Sequence, residues 1–263
     1  MPLRSAKVEA FRALHEGTFV LANAWDAGSA RILAGLGFQA LATSSGAHAG
    51  TLGRRDGQVT RDEALAHARA IVEASDLPVS ADFENCFADE PARAAETVRL
   101  AAQVGLAGCS IEDATRDKVY DFGLAVERVA VAARNSQLVL TARAENFVRG
   151  KPDLDDTIKR LQAFEKAGAD VLMAPGIPDL ESVRKICAAI TKPFNFMAGI
   201  KGKSFSVAEL QSAGVRRISL ATSLWRAAMS GLVDAAREVK EKGTFGYIER
   251  SLATAEIVKL IEK

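Results

Sequence analysis

Four times along the chain a helix-forming stretch ends at a glycine and runs directly into a short apolar segment. The four are Gly37-Phe-Gln-Ala-Leu-Ala-Thr43, Gly105-Leu-Ala-Gly-Cys-Ser-Ile111, Gly168-Ala-Asp-Val-Leu-Met-Ala174 and Gly214-Val-Arg-Arg-Ile-Ser-Leu220. Glycine just past a helix accepts the left-handed backbone that closes the last turn, and the apolar run that follows reads as a strand buried on both faces. Further strand candidates lie between the copies at 18–22, 77–83, 137–142 and 193–197. Helical patterns fill the gaps at 27–36, 61–75, 90–104, 122–134, 153–167, 180–190, 206–213 and 222–242. Strands that alternate with helices in this way predict a parallel sheet, and eight units predict an α/β fold of the (β/α)8 TIM-barrel type. An open doubly wound sheet is the alternative. Its dinucleotide-binding form lacks support, because Asn23-Ala-Trp-Asp-Ala-Gly28 follows the first strand where Gly-x-Gly-x-x-Gly would be needed.

No linker or low-complexity stretch divides the 263 residues, of which 48% are apolar and 25% charged, so one barrel domain over 1–263 is expected. The segment 243–263 is a helical extension beyond what eight units require, with an amphipathic stretch at 247–262. Thirty-four Lys and Arg balance 33 Asp and Glu. That leaves no excess of positive charge for a nucleic-acid backbone or an anionic membrane. No apolar run approaches the roughly 20 residues of a membrane span, and residues 1–19 are charged and amphipathic, unlike a signal peptide. A cytoplasmic protein is expected. Cys86, Cys109 and Cys187 are odd in number and sit in apolar surroundings, which predicts reduced thiols.

In such a barrel the chemistry lies at the C-terminal ends of the strands. Those ends read Asp82-Phe-Glu84 after strand 3, Glu112-Asp113 after strand 4 and Arg143-Ala-Glu145 after strand 5. Residues two apart on a strand face the same way, so Asp82 and Glu84 can both face the mouth, with Glu112 level with them. One such carboxylate is ordinarily an ion-pair partner or a helix cap. Three on adjacent strand ends raise one another's pKa unless a cation intervenes, and an oxygen-only set favours Mg2+, or Mn2+, over Zn2+. Arg143 has the fork geometry for a carboxylate and could equally pair with Glu112 or Glu145. After strand 2, Thr43-Ser-Ser-Gly-Ala47 reads as a turn of small residues whose N–H groups can approach an anion. It opens a long loop that continues through Gly53-Arg-Arg-Asp-Gly57. His48 is the one histidine placed on the active side, while His15 and His67 read as peripheral helix residues. Cys86 reads as a small buried thiol, and Lys201 is the one lysine placed for a Schiff base.

These segments resemble the isocitrate lyase and phosphoenolpyruvate mutase superfamily over nearly the whole chain. Asp82-Phe-Glu84 is similar to its Asp-x-Asp metal motif, Ile111-Glu112-Asp113 to its Ile-Glu-Asp segment, Ala142-Arg143-Ala144-Glu145 to its substrate-arginine segment, and Gly53-Arg-Arg-Asp56 to its Gly-x-x-Asp. The resemblance implies that Asp82 binds Mg2+ directly and that Asp56, Glu84 and Glu112 hold its waters. It implies that Ser45, Gly46, Ala47 and Arg143 bind the carboxylate of a 2-oxo acid or its enolate. It also implies a homo-oligomer, a dimer or a dimer of dimers, that exchanges its last helix. The superfamily's Lys-Lys/Arg-Cys-Gly-His loop is replaced by Ala114-Thr-Arg-Asp-Lys-Val-Tyr-Asp121, without Cys or His, and its Gly-Tyr-Gly by Cys86-Phe87-Ala88.

Chemistry that needs only a metal and a carboxylate clamp survives those losses. The expectation is a Mg2+-dependent carbon–carbon lyase or decarboxylase acting on an oxaloacetate-like 2-oxo dicarboxylate, with Arg143, Glu112 and Asp56 in catalytic roles. The alternatives are a 2-oxo acid binding protein with little turnover, a phosphonate-forming mutase and a Schiff-base aldolase that uses Lys201.

Overall fold

A computed structural model of the chain describes residues 6–262. Residues 1–5 of the charged N-terminal stretch, and residue 263, lie outside it. Eight parallel strands close into a barrel in sequence order, each paired with the next and β1 with β8. They are β1 (Phe19–Asn23), β2 (Leu41–Ala42), β3 (Val79–Ala81), β4 (Gly108–Glu112), β5 (Val139–Arg143), β6 (Val171–Met173), β7 (Phe194–Met197) and β8 (Arg217–Ser219). Around them lie α1 (Ala6–Leu14), α2 (Ala27–Gly35), α3 (Ser45–Thr51), α4 (Arg61–Ala74), α5 (Pro91–Gln103) and α6 (Phe122–Arg134). The ring continues with α7 (Leu154–Ala167), α8 (Leu180–Ala189), α9 (Val207–Ser212), α10 (Ser223–Lys242) and α11 (Thr254–Ile261). The fold is the TIM barrel read from the repeat.

Local chemistry sets most boundaries. Asp26, Thr60, Asp153, Asp179 and Ser206 each accept an N–H from the first turn of the helix they precede. Gly168 closes α7 at φ 107°, a left-handed conformation that only glycine adopts without strain. The strands are shorter than their apolar runs, because residues just after each glycine lead the chain back under the barrel before pairing begins. The run 37–43 yields only the two residues of β2.

Two readings change. The small residues after strand 2 are the first turn of α3, capped by the Ser44 side chain on Ala47 N–H at 3.4 Å, not an open turn. The stretch 247–262 is not one helix: a 3-10 turn at Gly246–Arg250 precedes α11. Within the single chain α11 lies on α2, close enough that a Cβ on Gly35 would meet the Leu260 carbonyl at 2.1 Å.

Beneath the barrel α1 inserts Phe11, which is fully buried and makes edge-to-face contacts with His15 and Phe19. Inside, the barrel departs from the usual filling by branched aliphatic residues. Ser80, Ser110, Thr141, Asn195, Arg217 and Ser219 line a cavity of about 270 Å³ that opens at the mouth. The strand-end residues surround that opening. No helix among the described residues is long and apolar enough to cross a membrane.

Candidate active site

Asp82, the first residue beyond β3, is held on several sides. Its N–H donates to Thr43 Oγ1 at 2.9 Å. Ser45 donates to Oδ2 from its hydroxyl at 3.0 Å and from its N–H at 3.3 Å. Oδ1 accepts Arg143 Nη1 at 3.0 Å and the Ser110 hydroxyl at 3.4 Å. The register Glu112↔Arg143 between β4 and β5 sets the next two groups side by side. Arg143 then gives Nη2 to Glu112 at 3.0 Å and Nε to Glu145 at 2.8 Å. Burial opposes its charge, but the three carboxylates outweigh burial and raise its pKa. The structural pairing of Arg143 that the sequence left open is therefore present, and a substrate carboxylate would have to share or displace one of these partners.

Glu84 sits at φ 51°, followed by Cys86 at 59° and Phe87 at 58°. Three left-handed residues without glycine are strained, at about 1–3 kcal/mol each, and persist only where the surroundings fix them. The fixing group is Arg128 on α6, wholly buried, which donates to the carbonyls of Asn85 (2.5 Å), Asp89 (2.6 Å) and Ala88 and lies over the Tyr120 ring at 4.6 Å. Glu112 N–H donates to the Glu84 carbonyl at 2.9 Å, tying strand 4 to this turn. Burial, then Asp82 and Asp56, push the Glu84 carboxyl up to about 7, and its Oε1 is buried without a partner. Burial also raises Glu112, against the pull of Arg143.

Asp56 is exposed at the rim, where it and Ser45, Glu112 and Arg149 border both the mouth and a side cavity of about 160 Å³ that also holds Glu84. Gly46 lets the rim close: a Cβ there would stand 3.1 Å from Thr222 and 3.4 Å from Asp56. Ser45, Gly46, Asp56, Asp82, Glu112 and Arg143 all line the mouth; Glu84, turned off the strand alternation at its positive φ, lines the side cavity instead, and Ala47 is buried.

The donor set has the chemistry of a hard-cation site. Asp56, Asp82, Glu84, Glu112 and Glu145 outnumber Arg143 and Arg149, which between them bond to Asp82, Glu112 and Glu145. The raised carboxyls of Glu84 and Glu112 and the unpartnered Glu84 Oε1 mark uncompensated negative charge. Yet no three His, Cys, Asp or Glu side chains converge on one point among the described residues. Asp82, Glu84 and Glu112 therefore do not form a direct cage. The arrangement fits a Mg2+ held by one protein carboxylate and by waters that reach the others.

Several other readings are corrected or sharpened. His48 turns away from the mouth and stacks on His67 with ring centroids 3.7 Å apart. His15 is not peripheral but buried at the barrel foot. Asp113, beside Glu112, is an ion-pair partner: it accepts Glu145 N–H at 2.8 Å and Arg160 at 3.1 Å, and burial lifts it to about 6. Lys201 is exposed and does not line the mouth. Cys86 is a buried thiol directed at the Ser110 carbonyl, pushed by burial up to about 12. The sequence reading missed Arg149, which donates to Glu112 at 3.3 Å from the 3-10 turn after β5, and Arg217; a charged residue inside the run 214–220 was the available signal for the second.

The phosphoenolpyruvate phosphomutase family profile matches residues 11–240. A crystal structure from Burkholderia cenocepacia J2315, provisionally assigned as a lyase/mutase, superposes with a TM-score of 0.95 at 43% identity, covering 98% of this chain and 96% of that one. The chain is 28% identical over 251 residues to 2,3-dimethylmalate lyase of Eubacterium barkeri, covering 89% of this chain and 86% of the relative. It is 27% identical over 238 residues to oxaloacetate decarboxylase 2 of Pseudomonas fluorescens Pf0-1, covering 86% and 80%.

Proposed function

Because the chain belongs to the phosphoenolpyruvate mutase and isocitrate lyase superfamily, we propose that it is a Mg2+-dependent carbon–carbon lyase, in its simplest form a decarboxylase, acting on a small oxaloacetate-like 2-oxo dicarboxylate. The observation that carries the reading is the double hold on Asp82, by Ser45 on one oxygen and Arg143 on the other, at the centre of a mouth with surplus carboxylates. Asp82 would hold the ion, with Asp56, Glu84 and Glu112 reaching it through water. When bound, the ion supplies positive charge against the 2-oxo oxygen as the bond beyond C3 breaks.

The chain's own residues bind and orient. Arg143 offers Nη1, shared with Asp82, to the substrate carboxylate, while its bonds to Glu112 and Glu145 keep the guanidinium plane fixed. Ser45, Gly46 and Ala47 border the same side and would receive the carboxylate there. Arg149 holds the other carboxylate oxygen of Glu112. Loss of carbon dioxide needs no base to remove a hydroxyl proton, so it makes the least demand on a mouth without a free histidine or cysteine. The 2,3-dimethylmalate lyase and oxaloacetate decarboxylase relatives support this class.

A homo-oligomer is part of the reading. Helix α10 has no buried residue, and Leu232, Phe245, Ile248 and Leu252 are more than half exposed, apolar side chains that a second subunit would cover. The runner-up, a 2-oxo acid binding protein, draws on the short hairpin closed by the Ala114–Val119 bridge, which brings no Cys or His to the site. Pyruvate formation from oxaloacetate by the purified protein with Mg2+, above the rate of the metal alone, tests the lyase reading. Metal-dependent binding without protein-dependent pyruvate would favour the runner-up.

A further inference from the structure

The floor of the mouth cavity carries a cation that the chemistry above does not use. Arg217, the first residue of β8, is only 3% exposed and still lines that cavity. Its Nε donates to Asn195 Oδ1 at 2.8 Å and its Nη2 to Thr141 Oγ1 at 2.8 Å, while Nη1 lies 3.5 Å from His15 Nε2. His15 Nδ1 pairs with the Phe11 carbonyl at 2.8 Å, so Nδ1 carries the proton and Nε2 is the acceptor facing Arg217. All three partners are neutral. A guanidinium has five N–H groups, so two on Arg217 have no assigned acceptor.

The other buried arginines are balanced differently. Arg143 meets three carboxylates, Arg160 meets Asp113 and Asp156, and Arg128 gives both terminal nitrogens to three backbone carbonyls and leaves only Nε without a partner. Arg217 has no carboxylate within ion-pair distance among the described residues. Its burial and the like charge of Arg143 lower its pKa to about 9. A buried cation without a counter-charge is a cost to folding that an apolar residue at the same place would not carry. The cavity in front of it places the hydroxyls of Ser80, Ser110 and Ser219 among apolar side chains such as Leu21, Met173 and Met197. The guanidinium also lies at a telling depth. Nη2 bonds to Thr141, and Thr141 is one inward-facing position below Arg143 on β5, roughly 6.6 Å along the strand. The two arginines therefore stand at successive levels of one cavity, the arrangement that a small ligand with a carboxylate at each end would meet.

We propose that Arg217 is the floor of an anion subsite that receives the second carboxylate of a small dicarboxylate whose first carboxylate lies at the rim beside Arg143. The rim half of this assignment rests on the lyase reading; the floor half rests on Arg217 alone. The subsite makes the barrel selective for dicarboxylates over monocarboxylates of the same length, and it draws the substrate down the barrel axis.

Calorimetric titration of the metal-free protein with succinate and with butyrate tests it. Wild type is expected to bind succinate at least tenfold more tightly than butyrate. In R217Q, which keeps a donor near the Nε position for Asn195 but loses the charge and the reach to Thr141, that preference is expected to fall to within twofold, with butyrate affinity unchanged. Should R217Q fail to fold, T141V removes the hydroxyl that aims Nη2, and its preference is expected to fall at least threefold. A wild-type protein that binds the two acids equally, or a folded variant that keeps the full preference, overturns the proposal. Chloride that raises the melting temperature of wild type but not of R217Q, with no succinate preference, overturns it too, since the floor would then hold a free inorganic anion. Oxaloacetate turnover by the same preparation scores the lyase reading separately. Turnover without an Arg217 effect removes only the subsite, and an Arg217-dependent succinate preference without turnover removes only the reaction.

Discussion

Arg143 on β5 reaches across the mouth to Asp82 beyond β3 and donates Nη1 to Oδ1 at 3.0 Å, while its other nitrogens are committed to Glu112 and Glu145. The substrate cation and the metal-binding carboxylate of the proposed reaction are thus one bonded unit. Replacing Arg143 with alanine leaves Glu145, 1% exposed, and Glu112 without their principal partner. Stability is expected to fall by about 3 kcal/mol and 2-oxo acid affinity by more than tenfold. Denaturant unfolding and a pyruvate-analogue titration check the two effects. Unchanged affinity in a folded variant would take Arg143 out of the clamp.

Arg128 holds the strained turn that carries Glu84. Arg128→Met leaves the carbonyls of Asn85, Ala88 and Asp89 without their donor while φ at Glu84, Cys86 and Phe87 stays unfavourable. A loss of about 2–4 kcal/mol is expected in thermal or denaturant unfolding. A loss below 0.5 kcal/mol, roughly the surface-mutation range, would show that the turn is fixed by something else.

Cys86 lies near the motif in sequence but not in the mouth. Cys86→Ser is expected to leave turnover within about twofold, since the thiol is buried against Ser110 and its pKa is pushed away from the working range. A large loss of turnover with binding intact would make Cys86 the acid that reprotonates the product.

Much of this arrangement was legible in the residues. The glycine-and-apolar rhythm named four strands and the apolar runs between its copies the other four, because barrel strands are covered on both faces, and the order of the acidic strand ends named Asp82, Glu84 and Glu112. Helix α3 was not legible: Ser-Gly-Ala-His-Ala-Gly has two glycines and no apolar period, and the helix exists because Ser44 caps it and Trp225 packs so tightly that a Cβ on Gly50 would come within 2.4 Å of its ring. The role of Arg128 was hidden as well, because the carbonyls it holds lie about forty residues earlier in the chain. Arg217 stood in plain view inside an apolar run, but only the closed barrel shows that its side chain points inward without a carboxylate.

Acid sensitivity follows from the buried imidazoles. Burial, then Arg217, lowers His15 from its ordinary 6.5 to about 3. Between those values the unfolded chain binds the proton and the folded one does not, so the contribution of His15 is complete above pH 6.5 and is lost as pH falls toward 3, at up to about 1.4 kcal/mol per pH unit. His67, lowered to about 4 by burial and then by His48, acts with the same sign. Asp113, raised to about 6 by burial, acts with the opposite sign in wild type and variant alike. The stability of His15→Gln is therefore expected to depend less steeply on pH between 6.5 and 4 than that of wild type. Parallel curves would contradict the buried neutral state of His15.

The most direct test of the central claim compares wild type with Asp82→Asn, a change of charge without a change of shape, in pyruvate release from oxaloacetate with Mg2+ and with a chelator. The account predicts protein-dependent release that the chelator abolishes and the variant loses by about a hundredfold or more. Release that survives both the chelator and the variant would contradict it, and would move the chemistry away from the Asp82 carboxylate.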